Sequence, residues 1–352
     1  MADQAEIHIR KEGRAGRITL DRPKALNALT YDMALAIEAA LDQWRDDGAV
    51  DLVIVDALGD KAFCAGGDIQ KLYDTGHAGD FTYGRAFWAD EYRLNAKIAE
   101  YPKPYVALMQ GFVMGGGVGI SCHGSHRIVC ESTQIAMPEC GIGLVPDVGG
   151  SLLLARAPGR LGEYLGCTGA RMGPGDAIYT GFADSYVPQE DWPALIAALV
   201  ETGDIAAISA QSEAPPHGAM RDRLTKIDAH FGGETLGDIV TSLRGDEGDF
   251  AVDTLKTMTR NAPLSMACTI EMIHRLRGPS TDIRRALGLE YRFTARAMQH
   301  GDFLEGIRAA IVDKDRNPNW KHDLATLPAI AVSQMLLPLG KDALTFEEDV
   351  SS

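Results

Sequence analysis

Three times in the first 150 residues, a run of apolar residues ends in a glycine-rich turn. AVDLVIVDAL (49–58) leads to FCAGGD (63–68), PYVALM (104–109) leads to GFVMGGGVGISC, and QIAM (134–137) leads to PECGIGLVPDVGG (138–150). A strand apolar at nearly every position is covered on both faces, which is the signature of a parallel sheet. Parallel strands need crossover connections, usually helices. Strand, turn and helix recur in this way to about residue 190, so the chain is expected to be an α/β protein. The turns then lie at the carboxyl ends of strands, where α/β proteins place their sites.

The rest of the chain fits this frame. Residues 5–21 predict a hairpin with its turn over Gly13–Gly16. Thr30 is a plausible cap for a helix reaching Trp44, with Ile37, Ala40, Leu41 and Trp44 on one face. Residues 83–99 predict another helix, and HRIVC and QIAM predict short strands. Pro and Ser cluster in SAQSEAPPHGAM, a linker signal. After it Ile283, Ala286, Leu287, Glu290, Tyr291, Thr294, Ala297 and Met298 form a helical stripe. Two regions are expected, a core over 1–200 and a mainly helical stretch over 201–352.

The 352 residues, 45% hydrophobic and 24% charged, are enough for a sizeable core. A net charge of −15 disfavours nucleic acid and anionic membranes as partners. Cys64, Cys122, Cys130, Cys140, Cys167 and Cys268 show no C-x-x-C spacing and read as reduced thiols. No secretory or transit peptide and no bilayer-spanning run is expected, which points to a cytoplasmic protein.

Carboxylates among glycine, proline and apolar residues are the chemical signal. Glu139 and Asp147 lie eight residues apart in such a segment, where a buried acid must find partners or shift its pKa. Glu91 shares a helical face with Phe87, Leu94 and Ile98. Each has a plainer reading: Glu139 as a surface acid or cap of a short turn, Asp147 as a helix N-cap, Glu91 as an acid paired with Arg85 or Arg93. The turns Phe63–Asp68 and Gly115–Gly117 each open a helix, the first with Asp68 as N-cap. Side by side, they would aim two backbone N–H groups at one oxygen. A phosphate-binding P-loop and a dinucleotide fingerprint are both missing. His123 and His126 lack metal-ligand neighbours, and Cys64 lacks a supporting His or Asn motif.

The order F-C-A-G-G-D, G-F-V-M-G-G-G-V-G and M-P-E-x-x-I-G-L-x-P-D-V-G-G resembles the crotonase (enoyl-CoA hydratase/isomerase) superfamily. Within it, P-D-V-G-G and the tail EYRFTARAMQHGDFLEGIRAAIVDKDRNPNW (290–320) resemble the 3-hydroxyisobutyryl-CoA hydrolases. The resemblance implies a crotonase-like spiral core, a C-terminal region that completes the site and mediates assembly, and a homo-oligomer such as a trimer or hexamer. It implies thioester hydrolysis in valine breakdown, 3-hydroxypropanoyl-CoA as a second substrate, and no metal or redox cofactor. It places the N–H groups of Cys64 and Gly116 in an oxyanion hole and Glu139 at the catalytic acid position. It sets Asp147 and Glu91 toward the acyl group and its hydroxyl, with Asp147 also catalytic, either positioning the 3-hydroxyl or moving a proton to the leaving group. It lays Lys24, Ala25, Leu26, Ala65, Gly66, Gly67, Asp68 and Ile69 along the CoA path. The hydratases' second catalytic Glu is replaced here by Gly119, which argues against hydration. The residues leave open whether Glu139 attacks the thioester or activates water. Two alternatives are an enoyl-CoA hydratase or isomerase, and a non-catalytic CoA-binding protein.

Overall fold

The computed structural model describes residues 5–346, and the chain groups into two compact units. The first holds the chain up to Asp68, Leu94–Ala136 and Arg171–Arg221; the second holds Ile69–Arg93, Met137–Ala170 and the chain from Asp222 on. Both units draw on segments before residue 200. The compositional change near that position marks the end of strand structure: after Ser185–Tyr186 every regular element of the described chain is helical.

In the first unit, β1 (Ile7–Glu12) and β2 (Ala15–Leu20) form the expected antiparallel hairpin, in register from Ile7↔Leu20 to Glu12↔Ala15. Its turn is only Gly13–Arg14, and Gly16 lies inside β2 because it pairs with both Lys11 and Val53. Helix α1 (Tyr31–Arg45) starts where expected: the Thr30 hydroxyl accepts the Met33 N–H at 3.2 Å, and Ile37, Ala40, Leu41 and Trp44 are buried.

β3 (Leu52–Ala57) is followed within a few residues by β4 (Ala62–Cys64). Helices α2 (Gln70–His77) and α3 (Thr82–Ala99) then lead to β5 (Tyr105–Met109), β6 (Phe112–Met114) and α4 (Gly116–Ser121). β7 (His126–Val129), β8 (Gln134–Ala136) and β9 (Ser185–Tyr186) complete the set. The large sheet has the order β1-β2-β3-β5-β7-β9, parallel after the hairpin, and the small one is β4-β6-β8, also parallel. Three successive strands of the large sheet are thus each followed by a strand of the small one, a repeating spiral. The core joins Leu52, Ile54, Val106, Leu108 and Ile128 to Trp192, Leu195 and Leu199 of the helix Trp192–Thr202. Each such side chain contributes about 1.5–3 kcal/mol on full burial.

Asp68 does not cap α2. The N-cap is Ile69 with no side-chain bond, and the Asp68 carboxylate lies 3.1 Å from the Arg22 guanidinium.

The second unit is helical. The helix Pro263–Leu276 packs on α5 (Gly150–Arg156) and on Leu161–Thr168. The helix Ile283–His300, capped by Asp282 through the Arg285 N–H at 2.8 Å, buries the whole stripe from Ile283 to Met298, Glu290 included. No helix among the described residues is long and apolar enough to cross a membrane.

Candidate active site

The structure buries all three acids singled out by the sequence, and a fourth joins them in the second unit. Glu91, Glu139, Asp147 and Glu290 are 3%, 5%, 4% and 0% exposed. Glu139 opens a single 3-10 turn, Glu139–Ile142, directly after Pro138. The Ala262 N–H donates to the Cys140 carbonyl at 2.9 Å and fixes that turn. Asp147 sits two residues before the α5 N-cap, which is Gly149, so it is not a cap. Val148 and Gly149 between them have φ of +53° and +80°. A β-branched residue in the left-handed region is a genuine outlier, and such strain persists only where surroundings impose it.

Glu91 reaches neither Arg85 nor Arg93. The Arg85 Nε donates to the Ala295 carbonyl, and Arg93 engages Asp90 and the Thr345 carbonyl. Instead Glu91 Oε1 and Glu139 Oε2 are buried with no hydrogen-bond partner among the described residues. Asp147 Oδ2 accepts the Tyr92 hydroxyl at 2.7 Å, and Thr294 Oγ1 lies 3.4 Å from the same phenol oxygen. Glu290 accepts the Gly149 N–H at 2.8 Å, the Ser151 N–H at 3.1 Å and the Ser151 hydroxyl.

Among the described residues none of the four acids forms an ion pair. Burial therefore dominates their titration. It raises Glu91 and Glu139 well above the carboxylate range, and the charge of Asp147 adds to both. Asp147 itself is pushed up to about 7 by burial, against the pull of the Tyr92 hydroxyl. Burial lifts Glu290 to about 8, opposed by its bonds to Ser151 and Gly149. A carboxyl near 7 is poised to exchange protons at neutral pH.

These raised values fix a sign for stability. Folding favours the protonated acids, so their contribution is full below the ordinary carboxylate pKa. It is lost as pH rises through about 7 for Asp147 and about 8 for Glu290. Each pH unit between the ordinary and folded values is worth about 1.4 kcal/mol. Thermal melts followed by circular dichroism should show Tm falling between pH 5 and 8, and falling less steeply in Asp147→Asn. Identical slopes in the two proteins would refute the assignment.

In the first unit the two glycine turns meet. Cys64 ends β4, fully buried and paired with Val113, and Gly116 is the first residue of α4. A Cβ at Gly117 would come to 2.2 Å of the Cys64 carbonyl oxygen, so only glycine allows this approach. The two segments expected along the CoA path are also adjacent. The Ala65 N–H donates to the Leu26 carbonyl at 3.0 Å, and the Leu29 N–H donates to the Gly66 carbonyl at 2.8 Å. Lys24 and Ala25 are exposed beside them; Gly67 bridges to Leu29, and Asp68 and Ile69 are half-buried. Among the described residues no group of three His, Cys, Asp or Glu side chains could hold a metal ion.

A model of the enoyl-CoA hydratase/isomerase family matches residues 15–336. The chain belongs to that family. Two curated relatives are mitochondrial 3-hydroxyisobutyryl-CoA hydrolases. The one from Danio rerio is 39% identical, over 90% of this chain and 85% of its own. The one from Homo sapiens is 35% identical, over 97% and 91%. Both are described as mitochondrial, not as cytoplasmic. Two solved structures share the fold. One, described as an enoyl-CoA hydratase from Rhodobacter sphaeroides, has a TM-score of 0.94, 56% identity and coverage of 97% of this chain and 100% of its own. The other, a carnitinyl-CoA dehydratase from Mycobacterium thermoresistibile, has a TM-score of 0.92, 38% identity and coverage of 98% and 99%. The crotonase fold implied by the resemblance is therefore the fold of this family member.

Tyr92 and Ser151 carry no signal in the sequence, and Glu290 and Thr294 stand there only as members of a helical stripe. For Glu290 the signal was the one that exposed Glu91, a carboxylate inside an apolar helical stripe.

Proposed function

We propose that the protein hydrolyses 3-hydroxyisobutyryl-CoA to 3-hydroxyisobutyrate and CoA, a step of valine breakdown, and also accepts 3-hydroxypropanoyl-CoA. The observation that carries this reading is the buried Glu139 carboxyl with an unpartnered Oε2, in a cluster with Asp147 near neutrality. The names of the curated relatives support the substrate. Glu139 Oε2 attacks the thioester carbon while the N–H groups of Cys64 and Gly116 hold the oxyanion. The C–S bond breaks and CoA thiolate takes the proton of Asp147. Asp147 then accepts a proton from the water that opens the mixed anhydride, which frees the acid and restores Glu139. The reactive form keeps the proton on Asp147, and that removes one of the charges that add to burial in raising Glu139. Segments 24–26 and 65–69 carry the CoA moiety. No resident cofactor enters this scheme. The protein works as a trimer or hexamer, which sedimentation would test. All six cysteines are buried and outside any disulfide, which suits a reducing compartment, the cytoplasm in this reading.

The 56% identical structure described as a hydratase favours a second reading, hydration of an enoyl-CoA. Gly119, where hydratases resembled by this sequence carry a second acid, weighs against it. Incubation with each thioester separates the two: thiol appears on hydrolysis, whereas hydration consumes the double bond and releases none. Turnover of either kind ends a purely CoA-binding role.

Asp147 and Glu91 read the 3-hydroxyl in this scheme. Asp147→Asn and Glu91→Gln should lower kcat/KM more for 3-hydroxyisobutyryl-CoA than for isobutyryl-CoA, since a buried group left unpaired costs about 1–3 kcal/mol. Equal losses on both esters would remove the hydroxyl contact from the scheme.

A further inference from the structure

We propose that Glu290 is a positioning residue that clamps the Pro146–Gly150 turn and thereby aims the Asp147 carboxylate, an inference that rests on the catalytic role given to Asp147 above. The turn needs an external restraint. Val148 and Gly149 both stand at positive φ, and Val148 is a buried β-branched residue. Such a conformation is strained and is kept only where neighbours over-determine it. The helix that follows, α5, has no side-chain cap of its own: its N-cap is Gly149. The first N–H groups of a helix must find partners from outside it. Glu290 supplies them from a helix about 140 residues further on, in the sense of a sequence separation of 141 to Gly149 and 139 to Ser151.

Both carboxylate oxygens are engaged. Oε2 takes the Gly149 N–H, and Oε1 takes the N–H and hydroxyl of Ser151. A fully buried acid costs stability unless it is fully bonded, and packing alone would favour an apolar residue at this place on the stripe. Glu290 makes no bond to Asp147 and does not need one. Fixing Gly149 and Ser151 fixes the peptide units that carry Asp147 on one side. The Tyr92 hydroxyl holds the Asp147 carboxylate itself on the other. Glu290 and Tyr92 thus restrain the backbone and the side chain of one residue.

The test is a double-mutant cycle with an independent structural readout. Glu290→Gln keeps the shape but cannot accept all three hydrogen bonds. Misplacing a reacting group by about 1 Å costs about 100-fold. Glu290→Gln should therefore lower kcat on 3-hydroxyisobutyryl-CoA by roughly 10- to 100-fold, with KM changed less than about threefold. In an Asp147→Asn background the same change should cost less than about threefold, because the residue it positions is already gone. Hydrogen exchange measured by NMR should show the Gly149 and Ser151 amides protected in the wild type and exchanging faster in Glu290→Gln. That readout holds whichever acyl-CoA is the substrate, so it separates failure of the clamp from failure of the hydrolase reading. If Glu290→Gln does not fold, Ser151→Ala removes one of the three donors and should lower kcat in the same direction. Equal losses of kcat in both backgrounds, or unchanged protection of the two amides, would overturn the proposal.

Discussion

Glu139→Gln is expected to lose hydrolysis by about 10⁴-fold or more, the order found when other hydrolases lose their nucleophile. Folding and CoA binding should survive. The amide keeps the shape of the side chain in its 3-10 turn but has no carboxylate oxygen with which to attack. It also removes an acid that the fold holds against burial and the charge of Asp147. The variant should therefore melt no lower than the wild type at pH 8, a separation of stability from activity that is usual at strained sites. The covalent route makes a sharper demand on the wild type. In a single turnover in ¹⁸O-water with enzyme in excess, water attacking the enzyme's acyl carbon leaves label in the peptide containing Glu139. Water attacking the substrate carbon labels only the product, so hydroxylamine or borohydride trapping at Glu139 completes the experiment. Label or adduct supports the anhydride. Their joint absence with an inactive variant assigns Glu139 as the general base on water. An active Glu139→Gln protein contradicts both roles.

What was legible in this sequence was whatever carried a local signal. Thr30 capped the predicted helix because its hydroxyl needs only the N–H three residues on. Strands β3 and β5 declared themselves by apolar runs buried on both faces. Glu91, Glu139 and Asp147 stood out because a carboxylate among apolar residues is rarely buried without a reason. Long-range pairing was not legible. Asp68 looked like a cap until Arg22, 46 residues earlier, took its carboxylate. Strands β4 and β6 have three residues each, too few to alternate, and they lie inside glycine-rich turns that read as connections. Glu290 sat on a visible stripe, but the stripe is satisfied by packing alone. Its meaning depends on Gly149 and Ser151, which no periodicity connects to it. Tyr92 read as one more core aromatic beside Glu91, and only the fold shows where its hydroxyl points.

Gly116→Pro should lower turnover by about 10²- to 10³-fold, the usual effect of losing one oxyanion donor. The position suits the experiment. Gly116 is the first residue of α4, where the N–H has no partner within the helix and proline is tolerated. The substitution thus deletes the donor with little cost to the helix, and circular dichroism checks that the turn before it is kept. Cys64→Ala is the control. It removes a buried thiol but keeps the backbone N–H, so kcat should stay within about threefold if that N–H carries the role. Gly117→Ala tests the same arrangement from the packing side. Its Cβ would stand 2.2 Å from the Cys64 carbonyl oxygen, so the end of β4 and the start of α4 must move apart. Both donors then shift together, and activity should fall although no donor has been deleted. A folded Gly116→Pro protein with normal turnover, or an inactive Cys64→Ala protein, would move the reaction away from these two N–H groups. Loss in Gly116→Pro and Gly117→Ala with activity kept in Cys64→Ala is the pattern that backbone donors predict and side-chain chemistry at Cys64 does not.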